Sequence, residues 1–138
     1  MALAVARHFA AESGAAREWQ FDSAGTHAAK PSQPADARAT AALQKRSYRT
    51  QMRRSRRVEP KDFAFFELIL AMDDDNHAAL QKLCPPEHQH KIRLLLSYAP
   101  EAGQAEVPDP YFGNAAGFER VLDLCEAGVR GLLKNHTL

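Results

Sequence analysis

The chain has 138 residues, 45% hydrophobic and 25% charged, with a formal net charge of +1. This length suits one core and one domain over residues 1–138, the composition excludes a disordered or fibrous chain, and so small a charge gives no global pull toward nucleic acid or an anionic membrane. No apolar run reaches the roughly 20 residues of a membrane helix, and two cysteines are too few for a secreted disulfide framework, so the expected location is cytoplasmic.

From the N-terminus, Ala2 to Ala16 is alanine-rich, sets Val5 and Phe9 one turn apart and meets Gly14, which predicts a helix with a stop. Trp19 to Ala24 alternates large apolar and polar residues before Gly25 and reads as a short strand. A polar loop over Thr26 to Pro34 follows, then a helix over Ala37 to Arg46 with Asp36 as N-cap. Arg46, Arg49, Arg53, Arg54, Arg56 and Arg57 make the next stretch a basic connector with a solvated surface as its simplest reading.

Phe63, Phe65 and Phe66 lead into Leu68 to Met72, an apolar run short enough to be a strand buried on both faces. Asp73, Asp74 and Asp75 close it, and a helix from Asp75 to Leu83 follows, its acidic cap suited to the positive end of the helix and its stop at Pro85 and Pro86. Ile92 to Leu96 is a further buried strand, and Phe118, Val121, Leu122, Cys125, Val129, Leu132 and Leu133 stand at helical spacing in a final amphipathic helix. Helix and strand alternate throughout, the pattern of an α/β, doubly wound parallel sheet with helices on both faces.

Four segments in order carry a resemblance to a known family. They are Asp22-Ser23-Ala24-Gly25-Thr26; Asp62-Phe63 with Leu68 to Asp73 and Asn76; Val107-Pro108-Asp109-Pro110-Tyr111-Phe112-Gly113; and Gly117-Phe118-Glu119 with Leu122-Asp123-Leu124. Together they resemble the low molecular weight protein tyrosine phosphatases. The resemblance implies hydrolysis of phosphotyrosine through a cysteinyl phosphate, on a phosphotyrosine-containing protein or a small aryl phosphate, with no cofactor and no metal. It also implies a four-stranded sheet with a Cys-x5-Arg loop after its first strand. There the thiolate attacks phosphorus, while backbone N–H groups and the arginine fork hold the phosphate oxygens.

That loop is not found in these residues. His90 stands six positions after Cys84, and Gly131 six after Cys125. Both cysteines read as buried core thiols. Met1-Ala2, Val5 and Arg7-His8 resemble the stretch that follows Cys-x5-Arg-Ser-Pro in the family. The expectation is therefore a chain lacking the first strand and its loop, on the order of 15 residues, with three strands remaining. It would have an unpaired edge at Trp19 to Ala24, a gap beside Leu68 to Met72, and reduced stability.

On the residues present, the resemblance gives Asp109 the part of general acid and base, and Tyr111 and Phe112 the walls that face the substrate ring. Ser23, Asp73 and Asn76 stand at strand ends, where open parallel sheets collect ligand groups. His88 and His90 are a weak metal pair. The chain as given is expected to be inactive. The alternative is a non-catalytic pseudophosphatase that binds a phosphorylated or acidic partner through the pocket edge and the arginine run.

Overall fold

The computed structural model describes residues 1–14, 19–26, 37–49, 56–108 and 115–135. In chain order these form α1 (Ala2–Glu12), α2 (Ala37–Lys45), α3 (Pro60–Phe65), β1 (Ile69–Ala71), α4 (Asp74–Leu83), β2 (Ile92–Leu94) and α5 (Ala115–Asn135). Short 3₁₀ turns occupy Pro86–Lys91, Leu95–Tyr98 and Pro100–Ala102.

β1 and β2 pair in parallel, Ile69 against Ile92, Leu70 against Arg93 and Ala71 against Leu94. α4 is the crossover between them, because parallel strands cannot be joined by a hairpin. Side chains alternate across the ribbon. Ile69, Ala71, Ile92 and Leu94 join Phe63, Leu80 and Cys84 in one apolar cluster, whereas Leu70 and Met72 pack on a larger one built from α1, α2, α5 and the Leu95–Tyr98 turn. The chain therefore has the α/β character and parallel sheet that the alternating pattern predicted.

α5 is the spine of the larger cluster. Leu122, Cys125 and Val129 are fully buried on its inner face with Val5 and Leu95. Two glycines let it approach the turn. A Cβ at Gly131 would stand 1.8 Å from the Tyr98 carbonyl oxygen, and one at Gly128 would stand 2.6 Å from Leu95 Cγ.

Several expectations need correction. Among the described residues the sheet has two strands rather than three. Residues 19–24 form no strand, and only Gly25 makes an isolated parallel bridge, with Arg57. The alternation at Trp19 to Ala24 is strand-like, but a strand also needs a neighbouring backbone, and the space beside it is a groove.

The run expected as a strand over residues 68–72 pairs only at Ile69–Ala71, and Ile69 and Leu70 are half-buried. Ile92 to Leu96 also shortens, turning into 3₁₀ at Leu95. α1 ends at Glu12, with Gly14 in the left-handed region at φ 78°. Residues 15 and 16 and the expected cap Asp36 lie outside the described residues.

α3 was not expected. Pro60 at its first position and Asp62, which accepts the Glu59 backbone N–H at 2.8 Å, account for it.

The arginine run is not simply a solvated surface. Arg46 lies against α5, with Nη2 2.6 Å from Glu119 Oε2 and Nη1 2.8 Å from Glu126 Oε1 and 2.9 Å from Asp123 Oδ1. Partial burial works against its charge, but the bonds to the three carboxylates outweigh it and raise its pKa. Tyr48 donates its hydroxyl to Glu126 at 2.9 Å, and burial followed by that acceptor raises its pKa as well. Arg53 and Arg54 lie outside the described residues.

Candidate active site

Between residues 19–26 and β1 lies a groove of about 770 Å³. Trp19, Phe21, Leu70, Leu95, Val129 and Leu132 contribute its apolar walls and floor, and Met1, Ala2 and Leu3 stand at one side. β2 takes one edge of β1. The other edge faces this groove, and among the described residues no strand pairs with it. Trp19 and Phe21 stack with ring centroids 5.6 Å apart and planes within 5°.

The rim of the groove is polar. Arg56 joins two acidic residues there, reaching Asp22 at 3.1 Å and Asp62 at 2.9 Å. Asp62 is buried. Burial alone would raise its pKa, but the Arg56 guanidinium and the Glu59 N–H hold the carboxyl below its ordinary value. Arg56 is raised in turn, chiefly by Asp62. This pair ties residue 22, just before Ser23, to α3.

At the C-terminal end of β1 the chain turns into α4. Asp73 is the helix N-cap, accepting the Asn76 N–H at 2.7 Å. Asn76 then donates its side-chain amide to Thr26 Oγ1 at 2.8 Å, which joins two of the strand ends singled out in the sequence. Ser23 is exposed and its N–H is held by its neighbour Asp22 at 2.8 Å.

A third segment reaches the same place. Val107 is buried and donates its N–H to the Met72 carbonyl at 2.7 Å, while Glu106 accepts the Asp74 N–H at 3.1 Å. Asp109, Tyr111 and Phe112 lie outside the described residues; the chain is described as far as Pro108. Sequence reading missed Glu106, Arg56 and Asp62 as supports of this end. Only the capping signal Glu59-Pro60-Lys61-Asp62 could have pointed to one of them.

Neither cysteine has the surroundings of a nucleophile. Cys125 is buried on α5, where burial pushes its thiol up to about 11; Cys84 is also raised, first by burial and then by Glu87. An attacking cysteine needs the opposite shift. Among the described residues no three His, Cys, Asp or Glu side chains gather as metal ligands, so His88 and His90 stand without a third. Nor is any described helix long and apolar enough to cross a membrane.

Known proteins match this chain along nearly its whole length. The model of the low molecular weight phosphotyrosine protein phosphatase family matches residues 1–137. The chain is 37% identical over 136 residues to the low molecular weight protein-tyrosine-phosphatase of Streptomyces coelicolor, covering 96% of this chain and 82% of that protein. It is 33% identical over 140 residues to the low molecular weight phosphotyrosine protein phosphatase of Homo sapiens, covering 97% and 85%.

Among solved structures, a protein tyrosine phosphatase from Entamoeba histolytica superposes with a TM-score of 0.91 at 34% identity, covering 96% of this chain and 85% of that one. A low molecular weight phosphotyrosine phosphatase from Vibrio cholerae O395 superposes with a TM-score of 0.89 at 34% identity, covering 96% and 84%. By sequence and by fold, this chain belongs to the low molecular weight phosphotyrosine protein phosphatase family.

Proposed function

We propose that these 138 residues are the body of a cytoplasmic phosphotyrosine phosphatase. Its nucleophile and phosphate-binding loop are carried by a strand-and-loop segment that fills the groove beside β1, completing a doubly wound sheet. The observation that carries this reading is the groove itself. A strand there would meet the open edge of β1 and cover the half-buried apolar walls at Trp19, Phe21 and Leu70. A loop at the C-terminal end of that strand would arrive beside Thr26, Asp73 and Asn76, where open parallel sheets bind ligands. Two buried, unbridged cysteines suit a reducing compartment.

In this reading Asp109 protonates the phenolate oxygen as the thiolate of the added segment takes the phosphoryl group. It then accepts a proton from the water that releases phosphate from the cysteinyl phosphate. Tyr111 and Phe112 stack on the aryl group of a phosphotyrosine-containing protein or a small aryl phosphate. No cofactor or metal takes part. Without the segment there is no thiolate of lowered pKa, so the chain as given is inactive.

The test compares aryl phosphate hydrolysis by the 138-residue chain with hydrolysis by the same chain extended through a strand and Cys-x5-Arg loop. No turnover by the first and turnover by the second is expected, with Asp109→Asn lowering the second by about 10²–10⁴-fold. Turnover by the unextended chain that vanishes on changing Cys84 or Cys125 sinks the reading. An extended chain that folds, binds phosphotyrosine and remains inactive favours the non-catalytic pseudophosphatase.

A further inference from the structure

Residues 104–108 are fastened to the end of the sheet and to the first turn of α4. Val107 is buried and donates to the Met72 carbonyl at 2.7 Å. The Gln104 side-chain amide donates to the Glu106 carbonyl at 2.7 Å and accepts from Arg120 on α5 at 2.8 Å. The Glu106 carboxylate takes the Asp74 N–H, at 3.1 Å, in the first turn of α4. That N–H has no acceptor inside its own helix, and a carboxylate is the favoured partner at the positive end of a helix.

These bonds lie immediately before Pro108 and Asp109. Two residues beyond Val107 span at most about 7 Å, and Pro108 allows almost no freedom in φ. Whatever holds residues 106 and 107 therefore limits the reach of the residues that follow. The Val107 bond is made by backbone and exists with any side chain. Glu106 is the one side chain on this segment that joins it to α4 among the described residues.

We propose that Glu106 is a positioning residue for the general acid, holding residues 106–108 on the first turn of α4 so that Asp109 is carried to the scissile oxygen. This rests on the reading of Asp109 as general acid. A carboxylate merely soothing the α4 dipole would contribute to stability and leave the chemistry alone. A positioning residue changes how well the leaving oxygen is protonated.

Two measurements separate these. In the 138-residue chain, Glu106→Ala raises amide hydrogen exchange at Asp74 and Val107 by about tenfold, a typical local-opening effect. Glu106→Gln, whose amide oxygen still accepts, stays within about twofold of the parent. Unchanged exchange at Val107 in Glu106→Ala overturns the proposal.

In the extended chain, kcat/KM is measured for a series of aryl phosphates of increasing leaving-group pKa. Poor leaving groups need the proton most. Glu106→Ala therefore lowers kcat/KM about tenfold for phenyl phosphate and less than about twofold for a nitrophenyl phosphate, while Glu106→Gln restores the parent pattern. Asp109→Asn is the control. If Asp109→Asn steepens the leaving-group dependence and Glu106→Ala does not, Glu106 has no positioning part. If Asp109→Asn leaves that dependence flat, the general-acid reading has failed and the proposal falls with it.

Discussion

The closed part and the open edge of the larger apolar cluster use similar apolar residues to different effect. On the α5 side, Leu95, Leu122 and Val129 are fully buried, and Gly128 and Gly131 let the helix close on the Leu95–Tyr98 turn. Arg46 and Tyr48 then bind the end of α2 to three α5 carboxylates. At the open edge of the same cluster, Trp19, Phe21 and Leu70 face a groove of about 770 Å³ and stay half-buried. Hydrophobic content does not separate the two. Having a partner at contact distance does, because dispersion and desolvation gains both vanish across a gap.

The largest expected effect breaks the closed side. Gly131→Ala would put a methyl 1.8 Å from the Tyr98 carbonyl oxygen, and backbone cannot swing away as a side chain can. α5 would have to lift from the turn and take Leu132 and Val129 with it. A loss of at least about 4 kcal/mol is expected, in the exceptional range for a single substitution, and the measurement is the urea midpoint. Gly117→Ala is the control on the same helix, since a Cβ there meets nothing within 4 Å.

A smaller pair of changes sharpens the comparison. Leu122→Ala on the closed side should cost about 2–5 kcal/mol, because α5 cannot collapse into the space left behind. Leu70→Ala on the groove side should cost about 1–2 kcal/mol, since a half-buried side chain has less area to lose. With the groove filled, in the extended chain, the two values should converge. Denaturant unfolding of both variants in both chains reads this directly. If Leu70→Ala already costs as much as Leu122→Ala in the 138-residue chain, the groove side is better packed than its geometry indicates.

The same contrast explains what the sequence made legible. The apolar stripe of α5, the acidic start of α4 and its stop at Pro85 were readable because each is written in residues a few positions apart. Strand pairing is not local. Trp19 to Ala24 has the alternation of a strand and no neighbour, so a pattern that was present predicted an element that is absent among the described residues.

The supports of the candidate site are non-local in the same way. Asn76 meets Thr26 across 50 positions and Glu106 meets Asp74 across 32. No window of sequence holds both ends of either contact. Asp73 was legible as a helix cap, and Asn76 only through family resemblance. Glu106 and Arg56 became visible only once the strand ends were brought together.

The smallest prediction concerns the ion pair at the rim, and it carries a pH signature. Asp62 accepts Arg56 Nη1 at 2.9 Å, Arg56 Nη2 at 3.2 Å and the Glu59 N–H at 2.8 Å, which together outweigh its burial and lower its pKa. A carboxyl lowered on folding stabilises the native state above its ordinary value of 3.8, and that contribution is lost as pH falls through the lower folded value. Asp62→Asn keeps the shape and removes the charge. At pH 7 it should cost about 1–3 kcal/mol, the range for hydrogen bonds to a charged group. Below pH 3.8 the difference from the parent chain should shrink, because the parent carboxyl is then being protonated as well. Thermal melts of both proteins from pH 7 downward test the sign. A gap that stays constant into acid would mean that Asp62 acts by shape and its backbone bond, and that the charge of Arg56 is satisfied by Asp22 alone.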